Sequence, residues 1–255
     1  MIDTHAHIVC KELYERKEEV IAQAKEAGVK KILIICTSIQ EAKLAIDLAI
    51  HDMMFDVAVG FHPCDLLDIK AEDWEELEQL AHRKEVVAIG EIGLDYHWKT
   101  VDASIQKEGF IRQIQLANKV EKPILIHMRE ATKDTMDILK EHVQYGGIIH
   151  CFSGSLETAK EAIALGMYIS VGGPLTFKNA RGLPEVVKEI PLEYLFIETD
   201  CPYLTPHPYR GKQNEPKYLV HTFARLCEIK QVDEHTVKRQ MQSNYTKLFG
   251  RVLDN

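Results

Sequence analysis

With 255 residues, 45% of them hydrophobic and 27% charged, the chain has ordinary globular composition and a length that suits one barrel-sized domain. No apolar run is long enough to span a bilayer, and the start lacks the basic-then-apolar pattern of a signal peptide, so a cytoplasmic protein is expected. The formal net charge of -8 excludes a global basic field for nucleic acid; such a partner needs a local site, where bound divalent cations can supply positive charge.

The chain opens on M-I-D-T-H-A-H, a short strand-like run that places His5 and His7 on one face. Lys11 to Ala27 reads as a helix closed by Gly28. Lys31 to Cys36 is a buried strand, Gln40 to His51 a helix, and Asp56 to Phe61 a strand ending in His62-Pro63. A helix over Glu72 to Arg83 precedes a strand over Val86 to Glu91. The long amphipathic helix Asp102 to Val120 is followed by the strand Ile124 to His127, the helix Ala131 to Val143 and the strand Gly147 to His150. Leu156 to Leu165 is helical, Met167 to Val171 is a strand, and Asn179 to Lys188 is a short helix interrupted at Pro184. The last strand, Leu195 to Glu198, runs on to Asp200, and two helices, Tyr218 to Ile229 and Asp233 to Phe249, close the chain.

Eight apolar strands alternating with helices predict a parallel (β/α)8 TIM barrel formed as one unit over residues 1–255. An open doubly wound sheet is the rival, but no G-x-G-x-x-G or P-loop pattern opens any helix. The six cysteines, Cys10, Cys36, Cys64, Cys151, Cys201 and Cys227, form no C-x-x-C pair, which argues against a disulfide framework and a zinc knuckle. Those nearest strand ends are expected to be small buried filler.

In a barrel the C-terminal strand ends converge on one mouth. Those ends carry His5, His7, His62, Glu91, His127, His150, Glu198 and Asp200. Each has an ordinary explanation taken singly, but together they would crowd one pocket and need partners there. Imidazoles with carboxylates are ligands for zinc, manganese or magnesium-like ions, and their number exceeds the need of one catalytic ion. Two divalent ions, about 3.5–4 Å apart, fit better. The expected grouping is His5, His7 and Asp200 for one ion, His127 and His150 for the other, and Glu91 bridging both.

The motifs D-T-H-A-H (3–7), G-F-H-P (60–63), G-E-I-G-L-D-Y (90–96), H-M-R (127–129), H-C-F-S-G (150–154) and E-T-D-C-P-Y-L (198–204) resemble the TatD-type metal-dependent deoxyribonucleases, in family order through nearly the whole chain. The resemblance implies a TIM barrel of the metallo-dependent hydrolase superfamily that hydrolyses DNA phosphodiesters with metal ions. It carries the ligand role onto His5, His7, Glu91, His127, His150 and Asp200. His97 and Cys10 depart from the usual aromatic and aliphatic residues.

Roles follow as expectations. Asp200 accepts the proton of the attacking water. Glu198, expected on the same strand face and also toward the mouth, orients a histidine or serves as an alternative base. His62 contacts the phosphate or leaving oxygen, and Asp95, counted with the substrate contacts, either stands behind a site residue or caps a helix or turn. Arg129 steers phosphate or pairs with a helix carboxylate. Tyr96, Trp98, Phe152 and Tyr203 are candidates to stack on bases, with packing the expected fate of at least two. Arg210 and Lys212, in the proline-rich stretch Pro206 to Pro216, are either backbone grips or ordinary loop cations.

The expected substrate is single-stranded DNA ends, cut one nucleotide at a time, since a duplex is too wide for a recessed mouth; the 3′ end is implied by the resemblance alone. No obligate protein partner is evident. Alternatives are a metallo-amidohydrolase or esterase acting on a small molecule, an editing deacylase acting on D-aminoacyl-tRNA, and a non-catalytic binding module. Glu91 stands where many of those amidohydrolases use a modified lysine.

Overall fold

A computed structural model describes residues 1–251. Its centre is one sheet of eight strands: β1 (Ile2–Ala6), β2 (Lys31–Cys36), β3 (Phe55–Val59), β4 (Val86–Asp95), β5 (Ile124–Arg129), β6 (Gly147–Ile149), β7 (Met167–Val171) and β8 (Leu195–Ile197). They pair in parallel and in sequence order, β1 to β8. The ring closes between its two ends. Thr4 Oγ1 donates to the Ile197 carbonyl at 3.1 Å, and just beyond the strands the His7 N–H bonds the Cys201 carbonyl and the Asp200 N–H the His5 carbonyl, both at 2.9 Å. The result is a (β/α)8 barrel.

The strands take this form because their apolar residues run continuously, which suits a sheet covered on both faces. Ile32 to Ile35 are all at 0% exposure. The helices α1 (Lys11–Tyr14), α2 (Lys17–Glu26), α3 (Ile39–His51), α4 (Ala71–Ala81), α5 (Ala103–Lys119), α6 (Thr132–His142), α7 (Leu156–Ala164), α8 (Gly182–Glu189), α9 (Leu219–Lys230) and α10 (Glu234–Phe249) include the crossovers. Several starts are fixed by side-chain caps: Ser38, Ser155 and Asp233 accept from the N–H groups of Glu41, Thr158 and Thr236. No helix among the described residues is long and apolar enough to cross a membrane.

Several elements differ from expectation. The helix expected over residues 11–27 is broken at Glu15–Arg16, so that Leu13 is buried and the Arg16 guanidinium pairs with Glu215. β4 continues four residues beyond Glu91, because Gly93, Leu94 and Asp95 pair with His127, Met128 and Arg129 of β5, which itself runs two residues beyond His127. Gly93 permits this approach: its φ is +143°, and a Cβ there would lie 2.0 Å from the His127 carbonyl oxygen. Pro184 is the third residue of α8, where its missing N–H is not needed by the helix, so it does not interrupt it. β8 stops at Ile197, and Asp200 is left-handed with φ 55°, so strand alternation does not extend to Glu198 and Asp200.

Candidate metal centre

β1, β4, β5 and β6, with the segments just beyond β1, β6 and β8, bring six side chains together at one end of the barrel. His5 and His7 point the same way, their Nε2 atoms 3.2 Å apart. Asp200 Oδ1 lies 3.7 and 3.6 Å from those nitrogens, and Glu91 Oε2 lies 3.4 and 3.6 Å from them. The other oxygen of Glu91 faces a second group. Oε1 is 2.9 Å from His127 Nδ1 and 2.8 Å from His150 Nε2, which are 3.4 Å from each other. His5 and His150 stack with ring centroids 3.8 Å apart.

These distances bear on whether the residues suit a metal. A tetrahedral ion with nitrogen and oxygen ligands at about 2.0–2.2 Å holds them roughly 3.3–3.6 Å from one another. The His5 and His7 nitrogens lie 3.2 Å from each other and 3.4–3.7 Å from the Glu91 and Asp200 oxygens, at or beyond the long end of ordinary hydrogen bonds and close to that spacing. Two ring nitrogens facing the same space 3.2 Å apart also repel unless a cation or proton sits between them. His5, His7 and Asp200 form one set able to hold an ion, and Glu91, His127 and His150 another with no residue in common. Further triplets, His5 with His150 and Glu198, and His62 with Asp95 and His127, share members with these.

Behind each histidine of the second set stands a carboxylate. Asp95 Oδ2 is 2.9 Å from His127 Nε2, leaving Nδ1 to face Glu91. Glu198 Oε1 is 3.4 Å from His150 Nδ1 and accepts the Cys151 N–H at 2.7 Å. Carboxylates in this position fix ring orientation and raise ligand basicity. Burial opposes the charge on Glu91, yet His150, His5 and His127 together hold its carboxyl well below the usual range. Burial likewise opposes the charge on Asp95, but His127 draws it down to about 2. Burial also disfavours protonated His127 and His150, but Asp95 and Glu91 raise His127, and Glu91 and Glu198 raise His150 further. His7 rises through Asp200 and Glu91 against its own burial, whereas burial and His150 lower His5.

His62, first residue of the turn after β3, lies beside this cluster with Nε2 3.9 Å from Glu91 Oε1. Its Nδ1 accepts the Cys64 N–H at 3.2 Å, which assigns the proton to Nε2, on the side of the cluster. Burial lowers its pKa to about 4, so the ring is neutral at neutral pH.

Several expected contacts need correction. Glu198 does not face the mouth: it is at 0% exposure beneath His150, because β8 has ended before it, with Oε1 3.4 Å from His150 Nδ1 and His5 within 4.8 Å. Asp95 is also at 0% exposure, with Oδ1 accepting the His97 and Trp98 N–H groups, so it caps a turn and orients His127 and is not a substrate contact. Tyr96 is no free stacking platform. It packs against the core and its hydroxyl donates to Asp134 at 2.8 Å. Phe152 is buried, as is Cys201, while Cys10, Cys64 and Cys151 are only partly covered.

Other residues are free. Trp98 and Tyr203 are 60% and 61% exposed, with the Tyr203 ring 6.1 Å from His7. Arg129 makes no ion pair among the described residues and lies 5.4 Å over Trp98. Arg210 is exposed and sits 4.0 Å over Phe177, and exposed Lys212 lies 5.4 Å from Tyr209.

The support beneath Asp200 was not anticipated. Asp3, fully buried, accepts the Thr199 N–H at 2.9 Å and its hydroxyl at 2.6 Å, and Asn214 donates to the Thr199 and Tyr203 carbonyls. Burial lifts Asp3 to about 7 against these donors. A carboxylate in the first strand, two residues before His5, is the available signal.

A barrel with imidazoles and carboxylates gathered at metal-ligand spacing on its C-terminal face defines a metal-dependent hydrolase. The family model described as TatD related DNase matches residues 2–250, and the chain belongs to that family. It is 43% identical over 251 residues to a Bacillus subtilis (strain 168) protein named "Uncharacterized metal-dependent hydrolase YabD", covering 98% of both chains. Among solved structures it is similar to YJJV, a TatD homolog from Escherichia coli K12, with TM-score 0.90, 30% identity and 98% of each chain covered. A TatD family hydrolase from Entamoeba histolytica follows at TM-score 0.86 and 26% identity, with 98% of this chain and 97% of that one covered.

Proposed function

We propose that this hydrolase cleaves DNA phosphodiester bonds, removing nucleotides from single-stranded 3′ ends, with two divalent ions in its barrel mouth. The observation that carries this reading is the split of Glu91, one oxygen toward His5 and His7 and the other toward His127 and His150. In this reading His5, His7 and Asp200 hold one ion, His127 and His150 the other, and Glu91 both. The donor set suits zinc, manganese or magnesium. When bound, paired ions supply Lewis acidity and water of lowered pKa.

The chain's own residues then have separate tasks. Asp200, near the surface of the cluster, takes the proton of the attacking water. Asp95 and Glu198 hold His127 and His150 in their working orientations. His62 offers its Nε2–H to a phosphate or leaving oxygen. Tyr203 and Trp98, exposed at the rim, stack on unpaired bases, and Arg129, Arg210 and Lys212 approach the backbone.

A recessed cluster favours an end over an internal phosphate of a duplex, whose bending costs several kcal/mol, on the order of 1–6. The net charge of -8 offers no long basic track, which favours release after each cut. The test is end-labelled single strands against a closed circular single strand, each with zinc, manganese or magnesium. Stepwise loss from linear ends with an intact circle is expected. Rapid cutting of the circle would overturn the end-specific reading, and hydrolysis of aminoacyl-RNA or amide substrates with no DNA cleavage would replace it.

A further inference from the structure

Helix α5 buries an unusual face. Gln106, Gly109 and Gln113 are all buried, the two glutamines at 1% exposure each. At about 100° per residue, positions three and seven apart fall on one side of a helix. A buried amide is costly unless fully hydrogen-bonded, and an apolar side chain would fill the same space without that demand. Here each amide is satisfied in the same manner.

Gln113 Oε1 accepts the Phe61 N–H at 2.7 Å, and its Nε2 donates to the Phe61 carbonyl at 3.1 Å and to the Gly109 carbonyl at 3.3 Å. Gln106 Oε1 accepts the Asp95 N–H at 2.8 Å, and its Nε2 donates to the Asp95 carbonyl at 2.8 Å and the Val101 carbonyl at 3.0 Å. Each glutamine therefore takes up both backbone groups of one residue, as a neighbouring strand would. The two residues gripped are not arbitrary. Phe61 directly precedes His62, and Asp95 orients His127. Gly109 lies between the glutamines on the same face, and a Cβ there would stand 2.6 Å from Leu66 in the turn that His62 begins.

We infer that this face of α5 is a template for one half of the site: Gln113 is a positioning residue for His62 through Phe61, and Gln106 is a positioning residue for His127 through Asp95. The inference rests on the metal-dependent phosphodiesterase reading, but its tests separate from it. The two glutamines should fail differently, since His62 is not among the proposed ion ligands and His127 is.

The experiment compares Gln106→Met and Gln113→Met, which keep volume and lose hydrogen bonding, with Gln106→Glu and Gln113→Glu, which keep the acceptor. Three quantities are read: divalent metal affinity by calorimetry on the metal-free protein, histidine ring NMR signals, and turnover of bis(p-nitrophenyl) phosphate. Gln106→Met should weaken one metal equivalent by about 10–100-fold and leave the other unchanged. Gln113→Met should leave both equivalents unchanged, shift the His62 ring signals, and lower kcat with no further loss in a His62→Ala background. The Glu variants should recover part of each effect. Should a Met variant fail to fold, its Glu counterpart decides by the same readouts. If the variants lose thermal stability while metal affinity, His62 signals and kcat stay at wild-type values, the glutamines only support the fold and the inference is overturned. An inactive wild-type protein would count against the phosphodiesterase reading, while metal affinity and NMR would still decide the template.

Discussion

Replacing Glu198 by glutamine isolates the contribution of a charge that substrate never touches. The side chain is fully buried, accepts the Cys151 N–H at 2.7 Å, and faces His150 Nδ1 at 3.4 Å. Glutamine preserves shape and, with its oxygen in the Oε1 position, the bond to Cys151. It removes the negative charge behind His150. Loss of such a supporting carboxylate costs about 10–100-fold in metal affinity or activity. That corresponds to about 1.4–2.7 kcal/mol. The loss should fall mainly on an ion at His127 and His150, since the nearest ring nitrogen to Glu198 is His150 Nδ1 at 3.4 Å, whereas the His5 and His7 Nε2 atoms are faced by Asp200 and Glu91. Glu198→Ala would be less informative, because it also leaves a cavity and an unpaired N–H. Calorimetric titration of the metal-free variant reads both ions separately. Unchanged binding of both, or selective loss of the ion at His5 and His7, would refute the reasoning.

The remaining predictions concern pH and substrate contact. In the metal-free protein His7, His127 and His150 are raised, despite burial, by facing carboxylates. Their contribution to metal-free stability is therefore complete below the unfolded histidine value of about 6.5 and is lost as pH rises through the raised values. Metal binding requires neutral rings, so apparent affinity and the metal-induced gain in Tm should both increase from about pH 6 to about pH 8; a pH-independent affinity would contradict this. Tyr203→Ala and Trp98→Ala should each raise KM for single-stranded DNA by about 1–3 kcal/mol, roughly 5–150-fold, with little change for a small phosphodiester. Equal losses on both substrates would show that these rings do not stack on bases.

The barrel was legible because its strands are continuous apolar runs, such as Lys31 to Cys36, separated by helical periods. The ligand types were legible because histidines and acids stand at successive strand ends. What periodicity could not show was the backbone beyond those ends. Gly90, Glu91 and Gly93 interrupt the apolar run of β4, although the strand continues to Asp95. Glu198 and Asp200 were set on one face by strand alternation, which the left-handed Asp200 breaks. Two aromatic residues close together in sequence diverge: Tyr96 turns toward Asp134 while Trp98 stays exposed. Gln106 and Gln113 read as ordinary helix polarity, because their partners, Asp95 and Phe61, become neighbours only when the barrel closes.

Glu91 is expected to serve two ions at once. Elemental analysis of wild-type protein and of Glu91→Gln, purified and loaded identically, tests this most directly. About two divalent ions per chain are expected in the wild type, with both depleted in the variant, because each carboxylate oxygen faces a different histidine pair. One ion per wild-type chain, or an unchanged metal content in Glu91→Gln, would contradict it.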